Sequence, residues 1–514
     1  MVKNQNKEKT MKKLLTSILV VVLLLSSAFV IFAACGDNRD NDHTIVFYTQ
    51  QNDDLQKVTA VAIAKFEAKY PGWKVDHQVQ SGGYDGIRTK IVNNLGSKKQ
   101  PDLAYCYADH VALYMQKKKV IDINTLINST ATVEGKTIQA NAEGKWEATG
   151  DATYAVGYTE TEMANFVPAF LAEGKGSNFT GAGKYGYSDD AMLTMPFLKS
   201  TEVMFYNQTA LQYIVDQLKS ANRTEALALF VDAEGKLTPP ATWDVMWKQA
   251  PIVAEFFPEA TLLGYDSEAN WFITESERQG WGYTSVDEKN HYLFNNQRAV
   301  AWLDQLSKFN EDGHITTQQM SGGSYTSNLF KQGVGAPVDK GTGGGVIYCV
   351  GSTGGAKNQA TNNFTWKVTR VPGSVKPDGT IANQVISQGP SLVMFRSDKA
   401  KNADEKAMMT FLFMKELYDP TIQAGIAKLQ GYTPCILNAA QVDEDFAEYL
   451  KGTDITAQAI NLANKLASEG LFFSSPAFVG SSDARTQVGN ALQAVLQGTK
   501  SGEEALRVAE KNCP

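Results

Sequence analysis

The feature of this sequence that most restricts its fold is a regular alternation of strand and helix patterns over residues 44–109. "HTIVFYTQ" is a short apolar strand pattern, and "NDDLQKVTAVAIAKFEAKYPG" repeats apolar residues at helical spacing. "WKVDHQV", "GIRTKIVNNLGS" and "PDLAYCYAD" continue as strand, helix and strand. This order predicts a parallel sheet flanked by helices, with a ligand crevice at the carboxyl ends of the strands.

The ends of two helices can be predicted from local signals. Asp53 or Asp54 is expected to cap the first helix, and the pair Pro71-Gly72 should end it. The last helix is expected to begin after Ser501, which has capping-box spacing to a glutamate.

Polar and aromatic residues follow the three strands at the points where a crevice is expected. Gln50 and Gln51 follow the first strand, and Tyr84 lies shortly after the second. Tyr105 and Asp109 lie at the end of the third strand. These five residues are therefore predicted to contact a ligand, and Tyr107 is expected at the same crevice.

An apolar run from residue 14 to residue 32 precedes this region and is long enough to cross a membrane as a helix. It follows two lysines and ends in Ala33, Ala34 and Cys35, as in a signal peptide that is cleaved after small residues. The motif resembles the lipobox of bacterial lipoproteins, although Phe32 stands where an aliphatic residue is usual. An uncleaved membrane anchor is the alternative.

We therefore predict a lipoprotein signal peptide over residues 1–34, a lipid on Cys35 and a tether over residues 35–43. The start codon could correspond to Met1 or to Met11. In either case the rest of the chain is expected on the extracellular face of the bacterial cell membrane, anchored by lipid.

The charge and length of the remaining chain restrict its partners. The full chain has 514 residues and a formal net charge of −7, and the predicted leader contains five lysines and one glutamate. The remaining chain is thus more acidic still, which predicts no binding to nucleic acid. Its length is enough for two sizeable lobes. We expect a monomer.

Four widely separated cysteines follow the leader: Cys106, Cys349, Cys435 and Cys513. They could form two disulfides in three pairings, or remain as buried thiols. No Cys-x-x-Cys pair is present, so the sequence predicts no metal site, and no cofactor motif is present either.

A catalytic alternative would be a secreted glycoside hydrolase, which needs two carboxylates facing each other across a cleft. Asp109, Glu202, Asp266 and Glu268 lie near the expected cleft. Such acids more often accept hydrogen bonds from ligand hydroxyls. The chain contains no His-Glu-x-x-His motif and no Gly-x-Ser-x-Gly motif, so we predict that it is not an enzyme.

Several segments resemble a known family when taken in order. These are "AIAKFEAKYPGWKV", "QPDLAYCYADHVALYMQKKKVIDI", "MPFLKSTEVMFYN", "TWDVMWKQA", "VISQGPSLVMF" and "LQGYTP". Their order is similar to that of the family 1 extracellular solute-binding proteins of ABC importers, which include maltose-binding protein. The resemblance implies a two-lobed α/β clamp, each lobe a mostly parallel sheet flanked by helices, with several crossings between the lobes.

The resemblance also implies domain boundaries. Lobe 1 is expected at residues 44–203 and 385–437, and lobe 2 at residues 204–384 and 438–514. "MPFLKSTEVMFYN" would form the first crossing and "NQVISQGPSLVMF" the return. The role of residues 124–195 is not indicated by their pattern.

Further ligand contacts follow from the resemblance. The family has an aromatic platform near "YDSEANWFITESERQGWGY", so the rings of Trp271 and Trp281 are candidates, although either could belong to the core. The other expected contacts are Ser200, Asn270, Gly351, Ser352, Thr353, Gln388, Gly389 and Tyr432.

The function implied by these features is reversible capture of a sugar or oligosaccharide for import. The expected partners are ABC permease subunits that work with a separate ATPase. The alternatives are a binding protein for another polar solute, such as a glycerophosphodiester or a peptide, and the glycoside hydrolase considered above.

Overall fold

A computed structural model describes residues 42–514 except 128–129, 134–135, 141–145, 150–153, 156, 288 and 402. The signal peptide, Cys35 and most of the tether lie outside the described residues. No helix among the described residues is both long and apolar enough to span a membrane.

Two mixed five-stranded sheets form the two lobes of the described chain. Their ten strands, numbered in chain order, are β1 Thr44–Thr49, β2 Lys74–Val79, β3 Leu103–Cys106, β4 Met195–Pro196, β5 Glu202–Asn207, β6 Thr261–Tyr265, β7 Ile315–Thr317, β8 Val346–Ser352, β9 Trp366–Thr369 and β10 Ser391–Met394. The first sheet has the order β2-β1-β3-β10-β4, and the second has the order β7-β6-β8-β5-β9.

Three parallel strands begin each sheet, and antiparallel strands complete it. In the first sheet β1 pairs in parallel with β2 and β3, while β10 runs antiparallel to β3 and β4. In the second sheet β6 pairs in parallel with β7 and β8, while β5 runs antiparallel to β8 and β9. The predicted β-α-β-α-β order and the two-lobed α/β fold are therefore confirmed.

Helices cover the faces of both sheets. Those before the first crossing are Asp53–Lys69, Gly83–Asn94, Ala108–Met115, Asn124–Ile127, Glu160–Ala164 and Pro168–Glu173. The middle of the chain forms Gln208–Ser220, Thr224–Leu227, Trp243–Phe256, Glu268–Gln279, Gln297–Phe309 and Thr326–Phe330. The last part forms Ala403–Leu417, Pro420–Gln430, Ala439–Val442, Glu444–Leu450, Ile455–Ser468, Ser481–Leu496 and Gly502–Lys511.

Shorter elements complete the chain. The 3-10 helices are Gly176–Asn178, Ala182–Tyr185 and Thr353–Gln359. Ser374–Val375 pairs with Ile381–Ala382, and Val385–Ile386 pairs with Phe472–Phe473. The strands Thr130–Val133, Lys136–Ala140, Trp146–Thr149 and Tyr154–Ala155 form a small antiparallel sheet between β3 and β4 in the chain.

The local signals at helix ends are partly confirmed. Asn52, rather than Asp53 or Asp54, caps the first helix, because its side-chain oxygen accepts a hydrogen bond from the Leu55 amide at 3.0 Å. The two aspartates lie in the first turn, where their charges favour the helix dipole. Ser501 caps the last helix as predicted, accepting from the Glu504 amide at 3.3 Å.

Each lobe has its own apolar core. The first core gathers Phe47, Phe66 and Phe413 around β1, and the second gathers Tyr265 and Trp271 around β6. The segment 195–207 contributes one strand to each sheet. We keep the lobe boundaries as a proposal, with one refinement.

The refinement concerns the last crossing between the lobes. Phe446, on the helix Glu444–Leu450, is 1 % exposed and belongs to the first core. Ile460 and Leu466 also belong to this core, so the first lobe takes residues from well beyond the expected boundary at residue 437.

The four cysteines after the leader are free thiols. Cys106, Cys349 and Cys435 are buried, and Cys513 is partly buried. Burial raises the pKa of each thiol above its ordinary value, so the thiolate form is disfavoured.

Candidate functional site

A cavity of about 800 Å³ is lined by residues of both lobes. On the first lobe it is lined by the segment after β2 and the segment after β3, each of which begins a helix. On the second lobe it is lined by residues that follow β6, β7 and β8. The cavity therefore lies at the carboxyl ends of parallel strands, where the strand order predicts a ligand crevice.

Two helix starts on the first lobe bring aromatic and acidic groups into the cavity. Tyr84 and Asp85 lie in the first turn of one helix, and Tyr107 and Asp109 lie at the start of the next. The rings of Tyr84 and Tyr107 meet edge to face with 4.8 Å between their centroids. A flat aromatic wall beside carboxylates can contact both the apolar face and the hydroxyl groups of a polar ligand.

Tyr432 extends this wall from the segment after the helix Pro420–Gln430, which Gly431 caps. A Cβ on Gly354, from the second lobe, would lie 2.8 Å from the Tyr432 ring, so only glycine allows this approach. The pKa of Tyr84 lies well above its usual value because of burial and the neighbouring Tyr432 and Tyr107. Burial also raises the pKa of Tyr107 and of Tyr432, so these three tyrosines are neutral hydrogen-bonding groups.

Glu202, Asn270 and Arg485 line the cavity on the second lobe, and hydrogen bonds join them to one another and to the buried Tyr265. Glu202, at the start of β5, accepts from the Tyr265 hydroxyl at 2.6 Å and from the Asn270 amide at 2.9 Å. Arg485 donates in turn to the amide oxygen of Asn270. Burial raises the Glu202 pKa to about 7, while its hydrogen bonds and Arg485 act in the opposite direction.

Asp266 is held by a different neighbour. Its carboxylate accepts from the Thr326 amide at 2.6 Å and from the Thr326 hydroxyl at 2.7 Å. Burial raises its pKa, and the two bonds to Thr326 partly counteract this. Glu202 and Asp266 are therefore both engaged by the protein, which is the arrangement of structural acceptors rather than of a free acid and nucleophile.

The crossing segments form the floor of the cavity. Ser200 and Gln388 exchange backbone hydrogen bonds at 3.0 and 2.9 Å, and the Ser352 hydroxyl lies 3.2 Å from the Ser200 hydroxyl. Gly389 has a φ of +90°, and a Cβ there would meet the Leu198 carbonyl oxygen at 1.8 Å. Only glycine therefore fits at this point of the crossing.

A buried ion pair supports the same floor. The Lys199 ammonium group lies 2.7 Å from the Glu173 carboxylate and donates to the Gly389 carbonyl oxygen at 3.1 Å. Glu173 also accepts from the Ser387 hydroxyl at 3.2 Å. The pair ties one crossing segment to the other and to the helix Pro168–Glu173.

The structure places eight of the fifteen predicted ligand contacts on this cavity. They are Tyr84, Asp109, Ser200, Asn270, Ser352, Gln388, Gly389 and Tyr432. Their predicted ligand contacts remain predictions.

The other seven residues lie elsewhere. Gln50 is exposed after β1, and Gln51 donates to the Tyr105 hydroxyl inside the first lobe. Thr353 is fully buried and its amide donates to the Thr201 carbonyl at 2.9 Å. Gly351 lies beside Asp266 and Gln359 without lining the cavity.

The two tryptophans need the largest correction. Trp271 is 1 % exposed and stacks on Tyr265 with 4.6 Å between centroids, inside the second core. Trp281 packs beside that core against Phe272 and Trp302. Trp271 lies in the first turn of the helix Glu268–Gln279, where successive side chains point in different directions, so Asn270 lines the cavity while Trp271 packs in the core.

Tyr283, Tyr325 and Arg485 line the cavity although the sequence did not indicate them, whereas Tyr107, Glu202 and Asp266 were expected near the cleft and also line it. Tyr325 is 58 % exposed although it is a large aromatic residue. The Gly322-Gly323 pair before it was a detectable loop signal, whereas nothing in the sequence near Arg485 indicates a cleft. Among the described residues no cluster of side chains could hold a metal ion.

A family described as bacterial extracellular solute-binding protein matches residues 61–452. The chain belongs to this family. Its members are solute-binding proteins of ABC transport and are not catalytic. The predicted family and the prediction that the chain is not an enzyme are therefore confirmed. No curated protein matches the sequence.

Solved structures of solute-binding proteins share the fold at low sequence identity. UgpB from Mycobacterium tuberculosis in complex with glycerophosphocholine has a TM-score of 0.62 and 15% identity, with 91% of this chain and 96% of that chain covered. Lmo0181 from Listeria monocytogenes in complex with cycloalternan has a TM-score of 0.61 and 13% identity, with 91% and 97% covered. The cyclic alpha-maltosyl-1,6-maltose binding protein from Arthrobacter globiformis has a TM-score of 0.59 and 13% identity, with the same coverage. These likenesses show the two-lobed fold.

Proposed function

We propose that this solute-binding protein captures a sugar or oligosaccharide between its lobes and delivers it to an ABC permease that works with a separate ATPase. The observation that carries the proposal is the lining of the cavity. Five tyrosines, Tyr84, Tyr107, Tyr283, Tyr325 and Tyr432, surround it together with amide, hydroxyl and carboxylate groups. A sugar has apolar C–H faces, which the tyrosine rings can contact, and hydroxyl groups, which the amide, hydroxyl and carboxylate groups can bind.

We also propose that a lipid on Cys35 anchors the chain to the membrane. The support is the apolar run and the small residues before the cysteine. Replacement of Cys35 with serine should release the protein from membranes or leave the leader attached, and mass spectrometry would detect either product. An intact leader with unmodified Cys35 in the wild-type protein would contradict the anchor.

A glycerophosphodiester is the second candidate ligand, because the structurally similar UgpB was solved with glycerophosphocholine. A phosphate group needs cationic or strongly donating partners. Among the described residues that line the cavity, Arg485 is the one lysine or arginine, and it already donates to Asn270. Lys199 is fully buried against Glu173. This charge distribution favours a neutral sugar.

A thermal-shift screen distinguishes the two candidates. The panel contains mono- and oligosaccharides, glycerophosphocholine and short peptides, and chromatography of each mixture reports any product. A bound ligand stabilises the folded state by mass action, so its melting temperature rises. We expect shifts from sugars without turnover. A shift from glycerophosphocholine alone would support the second candidate, and product formation would contradict a purely binding function.

A further inference from the structure

Basic side chains collect at the edge of the first sheet that lies opposite the cleft. β1 and β3 are parallel, so their amino ends share this edge, while the cavity lies at their carboxyl ends. Three segments reach the edge: residues 97–100 before β3, residues 117–119 after the helix Ala108–Met115, and residues 396–401 after β10, which runs antiparallel to β3. We call these three segments the basic edge.

Hydrogen bonds hold the basic edge together and join it to the start of the fold. The Gln100 side-chain amide donates to the Arg396 carbonyl oxygen at 2.9 Å, and the Arg396 amide donates to the Lys119 carbonyl oxygen at 2.8 Å. The Lys401 amide donates to the Asp42 carboxylate at 2.8 Å. Because Asp42 lies just before β1, the tether enters the fold at the basic edge.

The basic edge carries an excess of positive charge. Three of its cations are balanced by neighbouring carboxylates, in the ion pairs Lys119–Asp398, Arg396–Asp404 and Lys401–Asp42. Five other lysines of the edge are exposed and form no ion pair with a described residue: Lys98, Lys99, Lys117, Lys118 and Lys399. The edge is therefore locally basic, although the full chain has a formal net charge of −7.

The position of these lysines beside the tether indicates what they contact. The proposed lipid on Cys35 precedes Asp42 by seven residues, which span at most about 25 Å when fully extended. A lipid anchor would thus keep the basic edge near the bilayer, where it can enter the negative surface potential of anionic lipids. Lysine side chains are attracted to the phosphate groups at such a surface.

We propose that the basic edge is a contact surface for the headgroups of anionic membrane lipids, which holds the cleft on the side of the protein away from the bilayer. This inference rests on the lipid anchor of the proposed function, and it does not depend on the identity of the solute. The acidic residues of the rest of the chain oppose the contact only weakly, because salt screens charges that lie farther than about 10 Å from the headgroups.

Two variants of equal net charge test the basic edge. Both are made in a chain that begins at residue 36, which lacks the lipid and keeps every residue of both apolar cores. The test variant combines Lys98→Gln, Lys99→Gln, Lys117→Gln and Lys118→Gln. The control variant changes four exposed lysines outside the basic edge that also form no ion pair with a described residue, and it combines Lys236→Gln, Lys248→Gln, Lys308→Gln and Lys511→Gln.

The measurement is co-sedimentation with phosphatidylcholine vesicles that either contain or lack phosphatidylglycerol. We expect the unsubstituted chain to bind only the vesicles with phosphatidylglycerol and to be released by high salt, because salt screens the attraction. The test variant should bind at least about tenfold more weakly, and the control variant should bind within about twofold of the unsubstituted chain. Melting temperatures should be the same in all three, since none of the changed residues lines the cavity or belongs to a core.

Several results would overturn the inference. Equal sedimentation with both kinds of vesicle, or binding that persists in high salt, would exclude an electrostatic contact with anionic lipid. Equal weakening in the control variant would assign the binding to net charge instead of the basic edge. Competition by free polyphosphate at the phosphate concentration of the lipid would indicate a general polyanion site. A wild-type chain without lipid on Cys35 would contradict the proposed anchor, and mass spectrometry detects that failure separately.

Discussion

At the scale of single residues, the position of Trp271 decides whether its side chain contributes to the stability of the folded protein or to ligand binding. Its ring lies in a cluster with Tyr265, Trp243 and Trp302, at centroid distances of 4.6, 5.3 and 6.1 Å. Truncation to alanine removes the centre of this cluster. We expect Trp271→Ala to lower the free energy of unfolding by about 3–5 kcal/mol, as measured by urea denaturation of the ligand-free protein.

The contrasting outcome for Trp271→Ala would be unchanged stability together with weaker ligand binding. That result would indicate that Trp271 contacts the ligand, and it would contradict the placement of Trp271 in the core. Trp271→Phe is the matched variant, because it keeps an apolar ring at the position. It should cost less stability than the alanine variant.

Glu202 provides a residue-scale test that depends on pH. Burial raises its pKa in the folded protein to about 7, above its usual value of 4.5. Between these values the folded state binds more protons than the unfolded state, so this residue makes stability fall as pH rises and has no further effect above about pH 7. The shift corresponds to at most about 3 kcal/mol.

Glu202→Gln should remove this contribution. We expect the stability of the variant relative to the wild type to increase between pH 4.5 and pH 7 and then to level off, as followed by urea denaturation at each pH. A difference that is constant across this range would show that Glu202 titrates normally. Asp266→Asn serves as a comparison, because burial also raises the pKa of that carboxyl.

At the scale of secondary-structure elements, the buried pair Lys199–Glu173 holds the crossing segments against a helix of the first lobe. Lys199 has no exposed side-chain surface, and its partner is 11% exposed. Loss of one partner leaves a buried charge unpaired. We therefore expect Lys199→Met to lower the free energy of unfolding by about 3–5 kcal/mol.

The double variant Lys199→Met, Glu173→Leu is the control for this pair. It removes both charges, so it should recover a large part of the stability lost in the single variant. Equal destabilisation by the single and double variants, measured by denaturation, would show that packing of the lysine stem matters more than the charge pair.

The elements that could be predicted were those whose local signals agree with their tertiary surroundings. The strands around Phe47 and Tyr105 follow from apolar patterns that the sheet buries on both faces. The start of the first helix was misplaced by one or two residues, because Asn52, Asp53 and Asp54 are all capable of capping.

Site residues were harder to predict than elements, because side-chain direction depends on tertiary packing. Gln388 and Gly389 line the cavity, and they were proposed because the family order marks their segment as a crossing; their contact with a ligand stays a prediction. Trp271 was misplaced, since a helix turns neighbouring residues to different sides. Arg485 lies more than 200 residues from Asn270 in the chain, and only the fold brings the two together.

At the scale of the whole molecule, two lobes joined by extended segments predict closure on the ligand. The helices Ala108–Met115 and Ser481–Leu496, one from each side of the cleft, contact each other in this structure. A ligand that contacts both lobes binds the closed form more tightly than the open form. This difference in affinity shifts the population towards the closed form. Small-angle scattering should show a smaller radius of gyration at saturation.

A sugar that gives no thermal shift is the control for this scattering measurement, and it should leave the radius unchanged. An unchanged radius with the binding sugar as well would mean that the ligand-free protein is already closed in solution. The two helices would then be in contact in the ligand-free protein as well.

The central claim, that a sugar binds between the lobes against the tyrosines of the cleft, is tested most directly by calorimetric titration of Tyr325 variants. Tyr325 lines the cavity, is 58 % exposed and is absent from the apolar cores. For the sugar with the largest thermal shift, Tyr325→Ala should weaken binding about ten- to hundredfold and leave the melting temperature of the ligand-free protein unchanged. Tyr325→Phe, which keeps the ring, should bind nearly as the wild type does. Equal affinity in Tyr325→Ala and wild type would contradict the claim.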